Sequence, residues 1–161
     1  MDLILWRHAD AGEPADGQTG QASDLRRPLT ARGEKQARRM AEWLNGFLPD
    51  STRILVSPAL RCQQTADALG RKVRTVEGLA PGAPHTQALV AARWPDSREP
   101  VLLVGHQPML GQLAAYLMGG PATLDSPPWA VRKGAVWWLR HRQREGLVEV
   151  VLVSVRTPEK L

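Results

Sequence analysis

Three stretches of this chain are apolar at every position: Leu3-Ile4-Leu5-Trp6, Ile54-Leu55-Val56 and Val101-Leu102-Leu103-Val104. Short uninterrupted apolar runs of this kind read as strands buried on both faces of a sheet. Between the first two the pattern changes to a helical one. Ala37, Met40, Ala41, Leu44 and Leu48 recur three or four positions apart, with Glu34, Lys35, Arg38, Arg39 and Glu42 on the opposite side. Thr30 is suited to cap that helix, which the spacing predicts over residues 31–47.

The remaining elements follow from the same periodicities. Strands are predicted over residues 2–6, 53–57, 73–76 and 101–105. Pro58 fits the first turn of a helix over 58–70 that stops near Gly70. A further helix runs over 85–94 and ends before Pro95. Another starts at Pro108, turns Leu110, Leu113, Ala114 and Leu117 inward, and closes at Gly119-Gly120. Residues 11–29 and 120–133, rich in Gly, Pro and Asp, read as loops. Strands over 135–139 and 147–155, joined by a polar turn at 143–146, form a hairpin. Strands alternating with helices predict an α/β fold: three layers, α/β/α, with a mostly parallel central sheet and a C-terminal antiparallel hairpin.

Composition narrows the picture. With 161 residues and 43% hydrophobic content, the chain suits one domain over 1–161. A net charge of +5 favours anionic partners. Yet the only lysines are Lys35, Lys72, Lys133 and Lys160, and no run of like charges occurs, which argues against nucleic acid. Cys62 is the sole cysteine, so neither a disulfide nor a thiolate cluster can form within the chain. With no secretory leader and no run near ~18 apolar residues, the expectation is a cytoplasmic protein without a membrane span.

The candidate chemistry lies where the strands end. The first runs into Arg7-His8, the second into Ser57-Pro58 and then Arg61, the third into Gly105-His106. In open α/β sheets ligands bind beyond the carboxyl ends of the strands. Two arginines and two histidines meeting there would hold a doubly charged oxyanion, most plausibly phosphate. An arginine beside His8 disfavours the imidazolium and keeps the ring nucleophilic. His106, before a helix opening at Pro108, would share a helix N-terminus with the anion. Other chemistries fall away. There is no glycine-lysine phosphate loop and no Gly-x-Ser-x-Gly elbow. Cys62 lacks an arginine six positions on. His8 and Asp10 as a metal pair lack further ligands, so no metal is expected. His85 and His141 read as surface residues.

Taken together, Arg7-His8-Ala9, Arg27-Pro28-Leu29-Thr30-x-x-Gly33, Ser57-Pro58-x-x-Arg61-x-x-Gln64-Thr65-Ala66 and Gly105-His106-x-Pro108 resemble the histidine phosphatase superfamily, which includes phosphoglycerate mutases and acid phosphatases. The short length and the Arg-Pro-Leu-Thr segment resemble its SixA branch of phosphohistidine phosphatases. The resemblance implies a phosphoglycerate mutase-like fold and a covalent phosphohistidine on His8. Arg7, Arg61 and His106 would hold the phosphate, with no cofactor. It also implies a phosphorylated protein as partner, such as a histidine-containing phosphotransfer domain. Two departures stand out. Ala9 replaces the usual glycine, and alanine disfavours positive φ. Glu77 lies one position from where larger relatives carry a general acid, with Asp10 a weaker candidate for proton transfer. The alternatives are a phosphomonoesterase for small molecules on the same fold and a basic module that binds phosphate or nucleic acid without turnover.

Overall fold

A computed structural model describes residues 1–161. Its elements are β1 (Asp2–Arg7), α1 (Gln21–Leu25), α2 (Ala31–Asn45), β2 (Arg53–Val56), α3 (Leu60–Asp67), β3 (Arg74–Thr75), α4 (His85–Ala92), β4 (Val101–Gly105), α5 (Met109–Gly119), β5 (Val136–Arg144) and β6 (Leu147–Arg156). They form one six-stranded sheet in the order β3-β2-β4-β1-β5-β6. The first four strands in that order are parallel, and β5 and β6 add an antiparallel hairpin beside β1. The three-layer, mostly parallel architecture expected from the sequence is the one observed.

Why the apolar runs are continuous is visible in the packing. Leu3, Leu5, Leu55 and Leu103 point to one face, where α4 and α5 contribute Ala88, Ala92, Leu110 and Leu113. Ile4, Trp6, Ile54, Val56, Leu102 and Val104 point to the other, against Met40 and Leu44 of α2 and Cys62 and Ala66 of α3. Successive strand residues face opposite layers, so a strand covered twice needs apolar side chains at every position.

This layering also places the site. The helices after β1 and β2 lie on one face and the helix after β4 on the other. The gap where crossovers diverge is the point at which α/β sheets bind ligands. The register aligns the three strand ends there: Leu5 pairs with Leu103, and Leu103 with Leu55. The ladder then continues as His8 N–H donates to Gly105 O at 3.1 Å and Ser57 N–H to Val104 O at 3.0 Å.

Several boundaries differ from the expectation. The two long helices end earlier, at Asn45 and Asp67, and Pro58 precedes α3 instead of entering it. The segment 11–29 is tied down by α1 and by an Ala11–Leu29 bridge, and a 3-10 turn over Pro121–Asp125 lies within 120–133. Leu117 is half-buried. The hairpin is longer than predicted: β5 continues through polar His141–Arg144 because β6 pairs with it throughout. The turn shrinks to Glu145-Gly146, with φ of 52° and 80°. Two consecutive positive values are what a tight hairpin turn needs to match the strand twist.

Candidate active site

His8, Ser57, Arg61 and His106 are all buried, and their side chains meet at the carboxyl edge of the sheet. The His8 and His106 rings lie 5.2 Å apart, centroid to centroid. Arg61 Nη2 is 3.4 Å from His106 Nδ1. Arg7 ends β1 half-buried, with Nη1 donating to Val131 O at 2.8 Å. The Nε of Arg7 and the Nε of Arg61 are buried donors with no protein partner. Such donors are costly unless an acceptor meets them, and a phosphate oxygen fits that need. The structure thus brings together four residues that the sequence singled out.

The two histidines are held in opposite ways. His8 Nδ1 lies 2.8 Å from Ala9 O. A carbonyl only accepts, so Nδ1 carries the ring proton and Nε2 keeps its lone pair. Burial pushes the His8 pKa down to about 4, and the charges of Arg61, Arg7 and Lys133 add to the effect. The expectation of a neutral ring stands, though burial, not the adjacent arginine, is its main cause. His106 is restrained at its other nitrogen, with Nε2 2.7 Å from Ser57 Oγ. Burial and the Arg61 charge bring its pKa down to about 3.

The sequence motifs turn out to hold the loops around these groups. Thr30 Oγ1 accepts from Gly33 N–H at 3.0 Å, which is the predicted cap of α2. Thr30 N–H donates to Asp10 O at 3.0 Å. A side chain at Gly33 would collide with the Asp10 backbone, so only glycine lets α2 approach the loop after His8. Gln64 Oε1 accepts from Leu29 N–H at 2.7 Å, Arg27 Nε donates to Gly12 O at 2.9 Å, and Thr65 Oγ1 accepts from Ala9 N–H at 3.1 Å. Ala9 is fully buried and does not adopt positive φ, so the missing glycine costs the loop no strain.

The remaining candidates stand apart. Asp10 is taken up by Lys133 at 2.9 Å and by the Thr30 hydroxyl at 2.9 Å, and these two contacts hold its carboxyl below the usual range. Glu77 is exposed on the turn after β3, two strands removed from β4; its backbone carbonyl accepts from Ala80 N–H at 3.0 Å, but its carboxylate has no hydrogen-bond or ion-pair partner. His85 and His141 are half-buried against Tyr116 and Trp94, where the sequence suggested free surface. Cys62 is a buried hydrophobe whose thiol burial pushes up to about 12, so it is no nucleophile at neutral pH. No three His, Cys, Asp or Glu side chains gather in a metal-ligating group.

One contact is not foreshadowed by any motif. Asp24 of α1 places its carboxylate 3.0 Å from Arg61 Nη2 and its carbonyl 2.7 Å from Arg61 Nη1. Burial opposes ionisation of this carboxyl, but hydrogen bonds from Arg27 and Arg61 outweigh it and hold its pKa low. The only sequence signal was an aspartate three positions before the Arg-Pro-Leu-Thr segment.

The sequence profile of the histidine phosphatase superfamily (branch 1) matches residues 3–80. The phosphohistidine phosphatase SixA of Escherichia coli (strain K12) is 33% identical over 136 residues, spanning 80% of this chain and 78% of that protein. A SixA homolog of Haemophilus influenzae is 29% identical over 159 residues, spanning 84% and 93%. The solved structure of the protein histidine phosphatase SixA complexed with tungstate superposes with a TM-score of 0.74 at 28% identity, covering 98% of this chain and 97% of that one. With these relatives and this arrangement of strand ends, the chain belongs to the histidine phosphatase superfamily, in its SixA branch, and is a phosphatase.

Proposed function

We propose that this phosphatase removes phosphoryl groups from phosphohistidine side chains of proteins through a phosphohistidine intermediate on His8. The observation that carries the reading is the state of His8: a neutral ring whose Nε2 lone pair is free, beside Arg61 and His106. In the first step His8 Nε2 attacks phosphorus and the P–N bond to the substrate imidazole breaks. The leaving ring keeps the electron pair of that bond at the nitrogen that is released. Its other nitrogen, protonated from solvent, makes it a good leaving group. In the second step water attacks phosphorus, the bond to His8 Nε2 breaks, inorganic phosphate departs and the proton passes to solvent. Arg7, Arg61 and His106 stabilise the charge on the phosphoryl oxygens by fixed donors, the main task in phosphoryl transfer.

A phosphorylated imidazole needs little help to leave, which suits a site where Glu77 is exposed and Asp10 is held ionised. The substrate named for the Escherichia coli relative, phosphohistidine, and the tetrahedral oxyanion tungstate in the SixA complex support the same choice. A histidine-containing phosphotransfer domain is the partner class this reading favours. The reading includes a cytoplasmic setting, consistent with a lone buried thiol without a disulfide partner. No helix is long and apolar enough to cross a membrane. Dephosphorylation of a phosphohistidine-bearing domain, in the presence of EDTA, tests the proposal. Wild type should release phosphate rapidly and His8→Ala should not. Turnover retained by His8→Ala would exclude His8 as nucleophile. Faster hydrolysis of alkyl phosphates than of a phosphoramidate would move the substrate class to small esters.

A further inference from the structure

Gln36 is a polar residue on the buried side of α2, among Ala37, Met40 and Leu44. A buried amide has to set both its oxygen and its nitrogen against partners. Its Oε1 accepts the Asp10 N–H at 3.0 Å, and its Nε2 donates to Glu159 Oε1 at 3.0 Å. The peptide group that gives the Asp10 N–H is the one whose carbonyl, on Ala9, accepts His8 Nδ1–H at 2.8 Å. One peptide unit therefore joins the two bonds, its N–H turned to Gln36 and its C=O to His8. We propose that Gln36 is a positioning residue for His8: it holds the Ala9–Asp10 peptide, and through it the ring, with Nε2 free for the phosphoryl group, while Glu159 orients the Gln36 amide from the far side. The inference rests on the reading of His8 as nucleophile only for its effect on rate.

Each link runs in one direction. The Asp10 N–H can only donate, so the Gln36 oxygen faces it; the Glu159 carboxylate only accepts, so the amide nitrogen faces that. Turned over, the amide would set N–H against N–H and oxygen against oxygen. Bonds in such a chain polarise one another, so losing the outer ones weakens the bond at His8 Nδ1. Glu159 is half exposed and lies 3.7 Å from Arg32, so its part is to orient the amide, not to place charge at the ring. The turn that carries it, Pro158–Lys160, is firmly seated. Pro158 is buried, and a Cβ on Gly134 would come 3.1 Å from Pro158 Cγ and 3.6 Å from Gln36 Cβ. Gly134 also gives its N–H to His8 O at 3.0 Å, so the turn, α2 and the loop after β1 meet at one point.

Proton–nitrogen spectra of the imidazole rings, recorded on the whole chain at pH 7, read the His8 Nδ1–H bond directly. Gln36→Leu should move the Nδ1–H proton upfield and speed its exchange with water. It should lower kcat/KM on a phosphoramidate about fivefold, the worth of one hydrogen bond, with binding of inorganic phosphate unchanged. The exchanged pair, Gln36→Glu with Glu159→Gln, rebuilds both bonds with the outer one reversed, and should restore resonance and rate. Glu159→Ala, on an exposed side chain, should move the same resonance by a smaller step. It should lower kcat/KM about twofold and add nothing in the Gln36→Leu background. A His8 Nδ1–H resonance that stays in place in Gln36→Leu, or in Glu159→Ala should Gln36→Leu not fold, would overturn the assignment. An exchanged pair that restores neither readout, or additive losses in the double variant, would overturn the part given to Glu159. Failure of wild type to hydrolyse any phosphoramidate would count against the proposed function, while the resonance would still decide the role of Gln36.

Discussion

The ends of β1 and β4 carry the same residue at the same sheet edge, yet the two histidines are prepared for different work. His8 is bound through Nδ1 to the neighbouring Ala9 carbonyl, a local contact that leaves Nε2 free. His106 is bound through Nε2 to Ser57 on another strand, a contact 49 residues distant that leaves Nδ1 facing Arg61. Both are buried and both are neutral, so neither burial nor pKa tells them apart. What does is that His8 keeps one ring nitrogen free, as the proposed nucleophile needs, whereas both nitrogens of His106 have partners.

The sharpest break of that comparison is substitution of each histidine in turn. His8→Asn should abolish a covalent phosphoenzyme, with turnover reduced by ~10³-fold or more. His106→Asn should still form phosphoenzyme, with kcat reduced on the order of 10²–10³-fold as for other lost charge-stabilising donors. Acid-quench trapping of labelled protein separates the two. A labelled intermediate in His8→Asn would reverse the roles.

Acid pH should separate them next. Protonating His8 occupies the lone pair that attacks phosphorus, whereas protonating His106 takes no lone pair from the attacking atom. The log of kcat/KM should therefore be insensitive to these rings from pH 7 to about 5. It should fall with unit slope below the His8 pKa of about 4. Stability has its own sign. Both pKa values are depressed in the folded chain from an ordinary 6.5, so the unfolded chain takes up protons first as pH falls. The stability from these neutral rings is present above about pH 6.5 and is lost on acidification through the folded-state values. Melting temperatures from pH 7 to 5 should decline less in His106→Asn than in wild type.

The smallest effect concerns the anion already on Arg61. Asp24 competes with phosphate for that guanidinium, so Asp24→Asn should tighten inorganic phosphate binding by about threefold, within the range of a partly exposed ion pair. Calorimetric titration checks it. Weaker binding would instead make the ordering of α1 by Asp24 the dominant effect.

Much of this was readable from the residues alone. Continuous apolar runs announced a sheet covered on both faces, and a basic residue past each of three strands announced an oxyanion site. These are local patterns, set by burial of side chains within a few positions of one another. The hairpin was underestimated because β5 continues through polar residues that only their pairing with β6 holds extended. The loop at 11–29 concealed a short helix that presents Asp24 to Arg61.

By itself the sequence determined the layer architecture, the parallel core strands and the identity of Arg7, His8, Arg61 and His106 as the groups at their ends. Tertiary structure alone decided which partners hold each histidine ring, that Ala9 is tolerated, and that Asp10 and Glu77 stand outside the cluster. The reason is physical. Periodicity and composition specify what is buried, but contacts such as Ser57–His106 and Asp24–Arg61 depend on partners tens of residues away that only the packed fold brings within hydrogen-bonding distance.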